Sequence, residues 1–164
     1  MIEESRSALH EQFVLTFADR KHANAAVTQV ELAEMSRLLT THLPTSYVQF
    51  MHRHGPVYCP GILHQMMEHG LDHPDLRQFL TPREVLKRSR DLWSERLPVD
   101  LFAFATDCMG NAFCFRQSKA PQEDAPVLFL SRQADQLLDL EESFDGLLQW
   151  YVRHIRPAGA LAAT

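Results

Sequence analysis

A chain of 164 residues that is 45% hydrophobic and 23% charged has the length for one hydrophobic core and the composition of a folded globular protein. Its net charge is −5, and residues 107–150 hold 8 acids against 3 bases (Arg116, Lys119 and Arg132). That balance argues against direct nucleic-acid binding, which relies on clustered Lys and Arg. No apolar run approaches the roughly 20 residues that span a bilayer, and Met1-Ile2-Glu3-Glu4 lacks the basic-then-apolar start of a secretory signal. Neither a membrane nor export is expected. Cys59, Cys108 and Cys114 cannot all pair within one chain, and so sparse and odd a count fits a reducing cytoplasm.

Leu9, Phe13 and Phe17 recur at every fourth residue and predict a first helix over about residues 3–20. Thr28-Gln29-Val30-Glu31 reads as a capping box that opens a second helix. Leu32, Met35 and Leu39 would face the core, and the helix should end near His42 because the residue before Pro44 avoids the α region. Pro44 suits the first turn of a third helix, in which Tyr47, Phe50, Met51 and His54 share a face, and Gly55-Pro56 stops it. Ile62, Leu63, Met66 and Met67 predict a helix ending at Gly70, with a further turn or two from Leu76 to Leu80. Thr81-Pro82-Arg83-Glu84 is a second capping box, and its helix stops before Pro98.

After Pro98 the pattern turns extended. Residues 101–106 and 112–116 are aromatic-rich and flank Asp107-Cys108-Met109-Gly110-Asn111, which predicts a β-hairpin. Residues 117–125 form a polar loop, and Pro126 to Leu130, apolar on both faces, reads as a central third strand. Ser143 caps a closing helix that carries Phe144, Leu147, Leu148, Tyr151 and Ile155 on one face; Pro157 ends it and residues 158–164 are expected to fray. The order predicts an α+β fold: residues 1–157 as a single domain, an antiparallel or mixed β-sheet flanked by N-terminal helices and a C-terminal helix.

Catalytic chemistry has no constellation to stand on. There is no Gly-x-Ser-x-Gly elbow and no phosphate-cradling glycine loop. Cys59, His64, His69 and His73 follow one another closely, but not at finger or ribbon spacing, and Gly70 should break the helix that would align them. They read as scattered surface or interface histidines, with no metal and no cofactor expected. Cys114 alternates with Phe113 and Phe115 and reads as a small buried hydrophobe. The Phe residues of the strands read as core, and Asp107 with Gly110 as turn-formers.

Three segments resemble the SUKH superfamily, which includes fungal cell-wall-synthesis regulators and many bacterial immunity proteins. They are the helix followed by Leu43-Pro44 and then Tyr47 and Phe50 before Gly55, the Phe102–Phe115 hairpin with its Asp107-Cys108-Met109-Gly110 turn, and Val127–Leu130 followed by Ser143-Phe144. The resemblance implies a non-enzymatic binding domain, here a cytoplasmic immunity protein that neutralises a toxin, as a monomer or weak homodimer. A regulatory or scaffold protein without a toxin is the alternative, and a metal-dependent protein using the histidines of 52–73 a more distant one. With the acidic excess in the C-terminal third, Asp107, Glu123, Asp124, Asp135 and Asp139 are the expected partner contacts, aimed at a basic surface such as a nuclease groove.

Overall fold

Side-chain caps begin the helices where the chain supplies them. In the computed structural model, which describes residues 3–22, 25–95 and 100–155, helix α2 (Gln29–Leu39) starts at a closed capping box. Glu31 N donates to Thr28 Oγ1 at 3.1 Å, and Thr28 N to Glu31 Oε2 at 2.9 Å. Thr81 and Glu84 repeat this reciprocal pair at 3.1 and 3.2 Å at the head of α5 (Pro82–Glu95). Ser143 accepts from Gly146 N at 2.9 Å to open α6 (Phe144–His154). Each satisfies backbone donors that a helix start leaves without partners. The expected tail 158–164 and the stops at Pro98 and Pro157 lie outside the described residues.

Helix α1 runs Glu3–Phe17, and α2 ends at Thr40, which adopts φ 53, two residues short of His42. Pro44 takes the N-cap of α3 (Thr45–His54) rather than its first turn. Gly55 closes α3 at φ +74, and a Cβ there would lie 2.6 Å from the Ala25 carbonyl oxygen. Only glycine meets both demands. Helix α4 (Gly61–Glu68) stops just before Gly70, whose φ is +61.

The segment Leu76–Leu80 is not helical. Gln78–Phe79 form a short strand, β1, and extended backbone bonds surround it: Arg77 N donates to Thr106 O and Leu80 N to Phe104 O. Over so few residues an apolar run does not separate helix from strand, and pairing decides. Strands β2 (Leu101–Thr106) and β3 (Ala112–Arg116) form the expected hairpin. Strand β4 (Val127–Ser131) is followed by an unpredicted fifth, β5 (Gln136–Glu141). Leu138 and Asp139 are exposed in succession and the register then shifts between Asp139 and Glu141, so β5 lacks the alternation that marks a strand.

The sheet is an antiparallel meander in the order β1-β2-β3-β4-β5. β3 is the middle strand, and β4 lies inside the sheet between β3 and β5, as its apolar sequence predicted. Helix α5 packs on β2, where buried Ser89 Oγ accepts from Ala103 N at 3.0 Å beside a bulge in the strand. Helices α1, α3 and α6 pack together, and their rings meet those of the sheet. Phe50 stacks on Phe79 with centroids 4.7 Å apart, and Phe104 on Phe115 at 4.1 Å. Phe144 meets Tyr47, Phe50 and Phe104 edge-on. Offset and edge-on geometries add about 0.5–1.5 kcal/mol per pair beyond the area buried.

Candidate interaction surface

The loop at 117–125 is polar, yet it is tied down along its length. His42 N donates to Ser118 O, Thr45 N to Gln122 O and Ser46 N to Glu123 O, and Gln117 Nε2 reaches Leu39 O at 2.8 Å. These bonds bind the loop to the α2–α3 junction, so the charges it carries are presented rigidly. Glu123 stands out from it with its side chain 71% exposed, steadied by Arg6 Nη1 at 2.6 Å. Asp124 serves the fold instead. Its Oδ1 accepts from Ala125 N and Phe144 N, both at 2.8 Å, and Oδ2 from Asp145 N at 3.2 Å, which fastens the loop to the start of α6.

Beneath Glu123 lies a buried ionic group. Asp145 accepts from Arg6 Nε at 2.7 Å and pairs with His10 Nε2 at 2.7 Å; all three residues are 2% exposed. Burial works to raise the Asp145 carboxyl, but the hydrogen bonds from His10 and Arg6 outweigh it and hold it below its ordinary range. His10 also lies edge-on to Phe50 and Phe144. The group joins α1 to α6 and, through Glu123, to the loop. Sequence reasoning missed it, although the signal was present: Arg6 and His10 share a helical face with Phe13.

Asp107 is 8% exposed and occupied by its own turn. Its Oδ1 accepts from Met109 N at 2.9 Å and Asn111 N at 2.8 Å, and its Oδ2 from Asn111 Nδ2 at 3.0 Å. It therefore shapes the β2–β3 turn and offers little to a partner. Asn111 carries that order onward, since its Oδ1 accepts from Arg132 N at 3.0 Å in the β4–β5 turn. Asp135, exposed and at φ 48, ends that turn, and Asp139 is exposed on β5. Glu141 follows on β5, its carboxyl raised by burial and by the charge of Glu142. The structure thus puts Asp135 in the β4–β5 turn and Asp139 on the strand that follows, places Glu123 in the loop and Asp124 beneath it, and withdraws Asp107.

The groups that could have served catalysis or metal binding are dispersed. Cys59 and Cys114 are buried, and burial pushes the Cys114 thiol up to about 12. His64 pairs with Glu68 at 3.1 Å on the α4 surface, while His73 stacks on Trp150 at 3.8 Å. Among the described residues, no three His, Cys, Asp or Glu side chains come together as a metal site.

The sequence profile of the SMI1 / KNR4 family (SUKH-1) matches residues 26–150. No curated protein matches the chain. A solved structure described as "Crystal structure of protein from Pseudomonas syringae pv. tomato" superposes with a TM-score of 0.54 at 16% identity, covering 88% of this chain and 94% of the other. At that identity the likeness concerns the fold alone. The described residues contain no helix long and apolar enough to cross a membrane.

Proposed function

This chain belongs to the SMI1 / KNR4 family (SUKH-1), and from that premise we propose that it is a non-catalytic protein-binding domain of the cytoplasm, an immunity protein that neutralises a cognate toxin. The observation that carries the reading is the arrangement of its acids. Asp124 and Asp107 are taken up by helix and turn donors and Asp145 by Arg6 and His10, whereas Glu123 and Asp139 are held outward on a hydrogen-bonded loop and strand, with Asp135 exposed in the turn between β4 and β5. A rigid surface of one charge sign speeds encounter with an oppositely charged partner and loses little freedom on binding. A toxin that cleaves nucleic acid has a basic groove for phosphate, and such a surface can occupy it.

The test is co-expression with the product of the adjacent gene. Rescue of growth together with co-purification is the expected result. A toxic neighbour that neither co-purifies nor is neutralised overturns the immunity reading. A binding neighbour with no toxicity moves the protein to the regulatory class.

A further inference from the structure

The two edges of the sheet differ. At the β1 edge the chain covers itself: Tyr58 bridges Gln78, Phe79 N donates to Val57 O, and Cys59 N to Arg77 O at 2.6 Å. At the other edge β5 pairs with β4 on its inner side. Among the described residues no backbone group of β5 bonds to a loop or helix on its outer side. An uncovered edge is a template for another strand, and here its regular run is Gln136 to Asp139, ahead of the bulge at Leu140.

The side chains of this edge restrict what can add to it. Leu137 and Leu140 pack against the core, while Leu138 is 46% exposed and presents an apolar contact. Asp139, Glu141 and Glu142 follow, and no Lys or Arg occurs between Arg132 and Arg153. A second copy pairing through the same edge would set these acids against one another, and opposed like charges weaken a strand pair. A strand carrying Lys or Arg would meet them favourably, and an apolar residue beside its bases could cover Leu138.

We propose that the outer edge of β5 receives an extended basic segment of the partner protein as a sixth strand, selected by Leu138 and the acids that follow it. The inference rests on the protein-binding function proposed above. Main-chain hydrogen bonds would supply affinity, and the acids and Leu138 the choice of sequence.

The probe is an acetylated, amidated peptide of four Lys-Val repeats, long enough to cover β5, titrated into the full-length protein with backbone amide NMR as readout. Two further peptides carry N-methyl groups on alternate residues, one on the Lys set and one on the Val set. Charge and composition barely change, but each loses the N–H donors along one side. Strand addition predicts shifts centred on residues 136–141, binding weakened about tenfold or more by one methylation pattern, and little change with the other. The double variant Asp139→Lys/Glu141→Lys should weaken the unmethylated peptide by at least a comparable factor.

Equal binding of all three peptides means plain charge attraction and overturns the proposal, as does absence of binding at millimolar peptide. A concentration-dependent dimer whose shifts map to residues 136–141 overturns it in favour of self-pairing. If the toxin partner is captured equally by the wild type and by Asp139→Lys/Glu141→Lys, strand addition fails while the protein-binding function stands. If no partner is captured at all, it is that function which fails.

Discussion

Asp145→Ala is the most informative perturbation of the fold, because it leaves two buried nitrogen groups facing the space of a lost carboxylate. Arg6 and His10 are each 2% exposed and both depend on Asp145 at 2.7 Å. Removing one partner of a buried ion pair costs about 3–5 kcal/mol. Arg6 retains Glu123 at 2.6 Å and Gln49 at 3.3 Å, and the exposed Glu123 can follow it, so the loss should fall near the lower end, about 3 kcal/mol. Asp145→Asn separates charge from geometry. Its amide oxygen can accept from Arg6 Nε and its NH₂ can donate to His10 Nε2 when the ring carries its proton on Nδ1. Neutral bonds replace charge-assisted ones, and the cost should be only about 1–2 kcal/mol.

Urea denaturation followed by tryptophan fluorescence measures both variants, with unchanged m-values confirming that the same surface unfolds. The pH dependence supplies a second reading. The Asp145 carboxyl is depressed in the folded protein, so its stabilisation is full above the unfolded value near about pH 4 and is lost as pH falls through the folded value. The Asn variant should lack that acid-side loss. A cost below about 1 kcal/mol for Ala, or an Asn variant as damaged as Ala, would refute the reasoning.

Gly55→Ala should cost more than the roughly 1–2 kcal/mol of left-handed backbone alone, since its Cβ would meet the Ala25 carbonyl oxygen at 2.6 Å. Gly61→Ala is its control: nothing lies within 4 Å of that Cβ, and thermal melting should show a gain of about 0.4–1 kcal/mol. Thr81→Ala removes one half of the α5 capping box and should lower stability by about 0.5–2 kcal/mol in the same assay. The Cys108 thiol is pushed up to about 11 by burial, then by the hydrogen bond and charge of Asp75. Iodoacetamide should therefore label it about a hundredfold more slowly than free cysteine at pH 8, and Asp75→Asn should accelerate the reaction. Association with the proposed toxin partner should slow as salt rises, and Asp139→Lys should slow it at low salt without unfolding the protein, read by stopped-flow fluorescence, whereas Glu123→Lys would set a cation against the buried Arg6. Reversal of Asp124 would instead damage the α6 cap, which makes it unsuitable for that test.

Chemistry acting within a few residues was readable along the chain. Thr28 with Glu31 and Thr81 with Glu84 place two helix starts because the donor and acceptor are three residues apart. The Phe102–Phe115 hairpin and the Ser143 cap follow from equally local patterns. What tertiary structure alone decided depends on partners far along the chain. Residues 78–79 extend because Thr106 and Val57 supply their bonding partners, and β5 exists because β4 offers it a ladder. The acids divide by the same rule. Nothing near Asp124 in sequence distinguishes it from Glu123; the backbone of α6, twenty residues on, makes one a cap and leaves the other facing solvent. Arg6, His10 and Asp145 meet across more than 130 residues, so folding rather than composition determined which charges are buried and which face solvent.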